Sequence, residues 1–306
     1  MATIATGSKT EIAYIEEVTY GVTPATPVFQ KVCYEGTTLG ITKDTLENTC
    51  LTADRQIKEL RTGNRQTGGD LSTNLEYGSF DDWLEAVLMG TWTGDVLKAG
   101  IISRSFTIEK HFDLDTDEYH RFTGCKFNTW SLSVDPTSLV ASNFAVIGKD
   151  IDDQNLTSIV AGATYTDAAN SPPFDSFTGT IQEGGISIAT VTAIGLELDN
   201  GIEPAFVLMS QTTIEPGEGK SRLTGTLEVF FESSALYTKF LSETPSSLEF
   251  TLVDTGGAST EFNIPNLKYT AGNPDISGEG NITLPMTFTA IYDAIEESQI
   301  VITRTP

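Results

Sequence analysis

Two stretches of this sequence carry the same residues in the same order, and any fold for the chain has to hold both. Arg65, Thr67 and Gly68 lead through Leu71 to Glu76 and a segment of helical spacing. Arg222, Thr224 and Gly225 lead through Leu227 to Glu232 and a second such segment, with one extra glycine separating the spacings. Upstream, Leu39 and Ile41 match Leu196 and Leu198. Downstream, Phe106, Thr107 and Ile108 match Phe250, Thr251 and Leu252; Cys125, Lys126 and Phe127 match Leu267, Lys268 and Tyr269; and the strand around Phe144 matches the one around Phe288. The repeat predicts an N-terminal arm over 1–37, a first copy over 38–149, a linker with a hairpin over 150–192 and a second copy over 193–306.

Each copy reads as strands, one helix, then strands. With 44 threonines beside 27 glycines and 16 phenylalanines, the composition favours pleated, half-buried surfaces and the turns between them. Period-two alternation puts Leu71, Thr73 and Leu75 on one face against Asp70, Ser72, Asn74 and Glu76 on the other. Near the end, Ile282, Leu284, Met286 and Phe288 alternate with Thr283, Pro285, Thr287 and Thr289. The first helix is expected to open at Ser79 and stop at Gly90, with Phe80, Trp83 and Leu84 turned into the core. The second opens at Ser234, with Leu236 and Phe240 on its core side.

Charge and cysteine content exclude several classes. A net charge of −24 argues against a protein that grips nucleic acid or an anionic membrane surface. No apolar run approaches the roughly 20 residues a spanning helix needs, and the first residues do not read as a signal peptide. Cys33, Cys50 and Cys125 form no CxxC pair and are expected to be free thiols.

The residues that would carry chemistry are sparse. His111 and His120 flank Asp113, Asp115, Asp117 and Glu118, which resemble the start of a calcium loop but lack its central glycine and distant bidentate glutamate; a solvated hairpin tip accounts for them. Gly217 to Ser221 imitate the end of a phosphate loop, yet the first glycine of that motif would fall at Ile214. No catalytic residue, metal or cofactor is therefore expected, and the chain is not read as an enzyme.

The segments Glu17 to Gly21, Leu75 to Asp81, Leu223 to Leu227, Phe230 to Tyr237, Phe262 to Leu267 and Phe288 to Asp293 resemble the major tail tube proteins of long, non-contractile-tailed bacteriophages, in the form where the tube domain occurs twice. That resemblance covers nearly the whole chain. It implies a mainly β protein of two tandem tail-tube β-sandwich domains, each with one flanking α-helix, contributing strands to a ring-shaped β-barrel. It further implies trimeric rings of sixfold pseudosymmetry, stacked into a tube through which viral DNA passes without specific binding. The partners implied are other copies of the chain, the tape-measure protein, and the tail terminator and distal tail proteins, with no membrane. The location implied is the phage tail, after assembly in the host bacterial cytoplasm. Closing a sheet on itself also removes the free edges that would otherwise aggregate.

On that reading the polar strand faces line the bore: Asp70, Ser72, Asn74, Glu76, Thr226, Glu228, Glu232, Thr283 and Thr287 are expected to face the lumen. DNA carries a charge about every 1.7 Å, so a basic wall would hold it while an acidic one repels it, over a Debye length of about 8 Å. The long unpatterned stretches 1–37, 47–64 and 150–192 are the candidates for contacts between rings. A carbohydrate-binding or decoration module of a phage tail or capsid is the alternative, and would show aromatic or acidic loop clusters rather than a whole-domain repeat. A glycosidase would need paired carboxylates across a cleft, and neither copy shows that pattern.

Overall fold

The computed structural model describes residues 4–50, 56–274, 276 and 278–306. The first half of the chain forms β1 (Thr10–Glu16), β2 (Val28–Val32), β3 (Gly36–Thr37), β4 (Gly40–Glu47), β5 (Leu60–Asn74), α1 (Asp81–Leu88), β6 (Val96–Lys98), β7 (Phe106–Phe112), β8 (Glu118–Val134), β9 (Ala141–Gly148) and β10 (Asp150–Ile151). The second half forms β11 (Thr164–Thr166), β12 (Gly179–Glu183), β13 (Ile186–Ser187), β14 (Val191–Asp199), β15 (Arg222–Phe230), α2 (Ala235–Leu241), β16 (Ser246–Val253), β17 (Ser259–Gly272), β18 (Thr283–Ala290) and β19 (Val301–Thr305). The chain is mainly β, as its alternating pattern requires.

Eight strands make one antiparallel main sheet in the order β4-β5-β9-β8-β14-β15-β18-β17. The short β3 pairs with β5 on the side that β4 takes, and the other strands form a second layer. In the first half, β11, β2, β1, β7, the start of β8 and β10 lie side by side. In the second half, the order is β13, β12, β16, the start of β17, β19 and β6. Both β8 and β17 are long enough to run from one layer into the other, and the apolar residues between the layers form one continuous core.

The pairing of the second half follows that of the first strand by strand. Against β9, β8 bulges by one residue between Phe127 and Thr129; against β18, β17 bulges between Tyr269 and Ala271. Against β7, β8 shifts register from Phe106↔Cys125 to Ile108↔Phe122; against β16, β17 shifts from Ser246↔Leu267 to Leu248↔Ile264. These landmarks put Ser246, not Phe250, in the place of Phe106. They also equate Leu71 with Leu227 and Gly69 with Gly225, with no residue inserted between, so the shared Arg-x-Thr-Gly words are one residue out of step. Short words align by identity; strands align by which face is buried.

Segments read from the sequence as an arm and a linker carry strands of the second layer. β1 lies between β2 and β7 as β12 lies between β13 and β16. Ile12, Tyr14 and Phe29 of the arm are fully buried.

Around α1 the core is aromatic. Trp83 packs at 5.5 Å from Tyr14, 5.3 Å from Phe127 and 5.2 Å from Phe144, and Phe106 at 5.4 Å from Phe127, measured between ring centroids. Phe80, Trp83 and Leu84 are buried, whereas Leu236 and Phe240 of the shorter α2 are half-buried against the core. The start and stop of α1 differ from the sequence reading. Ser79 donates to Glu76 at 2.7 Å instead of capping, and the left-handed residue that ends the helix is Met89, with φ 51°. Gly90 is required for a different reason. A Cβ there would stand 2.0 Å from the carbonyl oxygen of Lys98, so β6 can approach only a glycine.

Candidate functional surface

One face of the main sheet covers the core and the other is open. Leu71, Thr73, Phe144, Leu227, Val229, Met286 and Phe288 point inward and are buried. Residues of opposite parity lie on the open face, half-buried or exposed. Asp70 and Ser72 pair across to Ala145 and Asn143, Thr226 to Thr287, Glu228 to Pro285, and Phe230 to Thr283. On its β5–β9 part the open face is hydrogen-bonded between side chains. Asn143 Nδ2 donates to Asp70 Oδ1 at 3.2 Å, Ser72 Oγ donates to Asn143 Oδ1 at 2.9 Å, and Asn74 Nδ2 donates to Glu35 Oε1 at 2.7 Å.

Seven of the nine residues read as one polar face therefore lie together: Asp70, Ser72, Asn74, Thr226, Glu228, Thr283 and Thr287. The other two stand past the strand ends. Glu76 is half-buried beyond β5, where it accepts from Ser79 and where burial raises its carboxyl above the usual range. Glu232 is exposed beyond β15. The sequence reading passed over Glu197 and Asp199, which are exposed on the same face of β14. Their signal was available, since Ile194, Leu196 and Leu198 alternate with them and are buried.

Buried charges elsewhere are held by partners rather than poised for chemistry. Arg121 and Glu109, both 1% exposed, pair at 2.7 Å, and Tyr165 donates to the same carboxylate. Glu17 accepts from Gly21 N, Gly124 N, Ser105 Oγ and Thr107 Oγ1, at 2.7 to 2.9 Å, which ties the loop after β1 to β7 and β8. His111 lies 3.3 Å from Glu11 and 3.5 Å from Asp117 at the β7–β8 hairpin, and burial lowers the imidazole pKa of His120. Among the described residues no group of three or more His, Cys, Asp or Glu side chains could hold a metal ion. Gly217 to Ser221 lead into a strand, β15, not a helix, so they lack the setting of a phosphate loop. No helix among the described residues is long and apolar enough to cross a membrane.

The main sheet also has two free edges. Among the described residues, β4 has a neighbour only on its β5 side, and Tyr269 to Gly272 of β17 only on their β18 side. From Thr42 to Glu47 the β4 residues are exposed, as are Thr270 and Ala271. Such edges are templates for pairing with another chain. The connection 47–64, read as a contact between rings, lies partly outside the described residues; its described ends join β4 to β5.

A family model described as "Phage tail tube protein" matches residues 7–290. Comparison with curated proteins gives no match.

Proposed function

Because this chain belongs to the phage tail tube protein family, a family of structural virion components that assemble into a tube, we propose that its copies close into rings and that the rings stack into a negatively charged conduit for the phage genome. The observation that carries this reading is the main sheet itself: eight strands with a buried face, an open polar face and two unpaired edges. A sheet of that kind satisfies its edge groups by continuing into the next copy, and a head-to-tail contact that closes gives a ring. The repeated pairing pattern supports two tube units per chain, hence three chains in a ring of sixfold pseudosymmetry.

The open face is the wall of the bore. It carries Asp70, Glu197, Asp199 and Glu228 among threonine, serine and asparagine side chains, with Arg222 opposite Asp199 and Lys268 opposite Thr289 on the same face, so acid outnumbers base along the wall that DNA in transit meets. The second layer and the helices lie outside. The tape-measure protein within the bore, and the terminator and distal tail proteins at the two ends, complete the assembly inside the host bacterium.

Electron microscopy of the purified protein over a concentration series, with end-on views averaged without imposed symmetry, tests this. Rings or tubes with six similar lobes and the four carboxylates on the inner wall are expected. Carboxylates mapped to the outer surface would overturn the orientation, and a chain that stays monomeric at all concentrations, with and without tail-tip initiator, would overturn the tube.

A further inference from the structure

Inside the chain the two halves are joined by a ladder between β8 and β14, running from Thr129 opposite Asp199 to Val134 opposite Ile194, with Trp130 opposite Leu198. The two free edges of the main sheet are the counterparts of these two strands. β4 stands to β5 as β14 stands to β15, and β17 stands to β18 as β8 stands to β9. Resting on the reading of self-assembly above, we propose that β17 of one copy pairs antiparallel with β4 of the next in the register of the internal seam, so that Ile41 faces Gly272 and Thr42 faces Ala271.

The register follows from the shared landmarks. Leu198 pairs with Leu223, four residues before Leu227; Ile41 pairs with Thr67, four residues before Leu71. Ile41 thus takes the place of Leu198. Trp130 stands three residues past Phe127, where the bulge of β8 begins, and Gly272 three residues past Tyr269, where that of β17 begins. Gly272 thus takes the place of Trp130.

A second correspondence is electrostatic. The loop between β14 and β15 lies across the internal seam and is held there by Lys126, which is 3% exposed. Its Nζ reaches Glu215 at 2.9 Å, Glu218 at 2.7 Å and the carbonyl of Pro216 at 3.2 Å. The counterpart of Lys126 is Lys268, the residue before Tyr269, and it has no ion pair among the described residues. Glu215 lies twelve residues before Leu227, and Glu59, exposed at the end of the β4–β5 connection, lies twelve before Leu71. In the seam between copies the Lys268 ammonium of one meets the Glu59 carboxylate of the next.

The seams are not equal. At the inner one an indole fills the gap between halves, while at the outer one a Cβ on residue 272 would already stand 2.2 Å from the sulfur of Met286. A larger residue there would have to push the Met286 side chain aside, and with glycine in place the seam between copies is the thinner of the two.

The test is a pair of cysteines in a Cys33→Ser, Cys50→Ser background. Thr42→Cys with Ala271→Cys places two thiols on directly facing residues, within reach of a disulfide; Gly40→Cys with Ala271→Cys is the same design slipped by two residues. Under mild oxidation of assembled protein, covalent links between copies are expected for the first pair and not the second. Rings or tubes in which only the slipped pair links, or neither, overturn the register and leave the tube standing; failure of the wild-type chain to assemble overturns both. As an independent readout, Lys268→Glu should abolish assembly and adding Glu59→Lys should restore it. Assembly unaffected by Lys268→Glu, or a double variant as inactive as the single one, overturns the ion pair.

Discussion

Trp130 of the first half stacks on Phe262 of the second, with ring centroids 6.2 Å apart and planes 24° from parallel, while its indole Nε1 donates to Ser142 Oγ at 2.9 Å. Both rings are fully buried, so the two halves share one core rather than resting against each other.

Replacing that indole should therefore weaken both halves together. Trp130→Ala is expected to cost about 3–5 kcal/mol, the usual range for emptying a buried aromatic site. Urea unfolding followed by fluorescence and circular dichroism would show it as one transition moved to lower denaturant. Two separate transitions, or a loss below about 1 kcal/mol, would count against a shared core.

The position of Trp83 is taken in the second half by Lys239, and those of Tyr14, Phe106 and Phe127 by Glu183, Ser246 and Tyr269. Where the first half has an aromatic cluster the second has a polar one. Lys239 Nζ donates to Glu183 Oε1 at 2.8 Å and to Ser246 Oγ at 3.0 Å, and Tyr269 donates to Glu183 at 3.1 Å. Removing one charge should be worse than removing both. Lys239→Met alone is expected to cost about 3 kcal/mol by leaving Glu183 buried and unpaired, and Glu183→Gln in the same chain should recover most of it. Thermal melts of the three variants decide this, and a double variant less stable than Lys239→Met would refute it.

Asp81, at the start of α1, is held up to about pKa 6, chiefly by burial, with Arg304 opposing and Asp82 adding to the shift. A carboxyl raised on folding favours the folded state while protonated. Its contribution is present below the ordinary carboxylate range near ~4 and is lost as pH rises through about 6. Asp81→Asn removes that slope, so the variant should gain on the wild type between pH 4 and 6 and hold a constant difference above. Urea midpoints at pH 4, 5, 6 and 7 measure it; a difference that stays flat across the window would be the contrary result.

Cys33 and Cys50 are exposed and Cys125 is buried, with burial pushing the Cys125 thiol well up. Two thiols of the folded monomer should react with a disulfide reagent and the third only in denaturant. Cys33 should be the slower of the two, because partial burial and the carboxylates of Glu76 and Glu35 raise its thiol. Rapid reaction of all three without denaturant would place Cys125 outside the core.

The β class, the inward faces of β5, β15 and β18, and the clustering of polar residues opposite them were legible because period-two alternation is a property of single strands. What the sequence concealed depends on pairing. β1 covers a core edge with few residues, and no alternation long enough to see distinguishes it from loop, whereas the hairpin read within the linker is β12 paired with β13. Repeated words misled by one residue at Thr67 and by four at Phe106, since a register set by bulges and buried faces leaves no mark in local identity. That Glu183 and Lys239 would stand in for Tyr14 and Trp83 was equally hidden, because an aromatic cluster and an ion-paired one share a shape but no residue type.

β6 pairs only with β19 among the described residues, and the contact is sealed by Lys98 on Glu296, two residues 198 positions apart. During synthesis at about 5–20 residues per second, that interval lasts roughly 10–40 seconds. Once β10 has been made the first half has all of its own strands, yet β6 still lacks its partner and Asp81 and Asp95 lack Arg304. A nascent first half is thus left with one raw edge beside its helix, and the timing of closure is set by the ribosome rather than by the folding rate of either half.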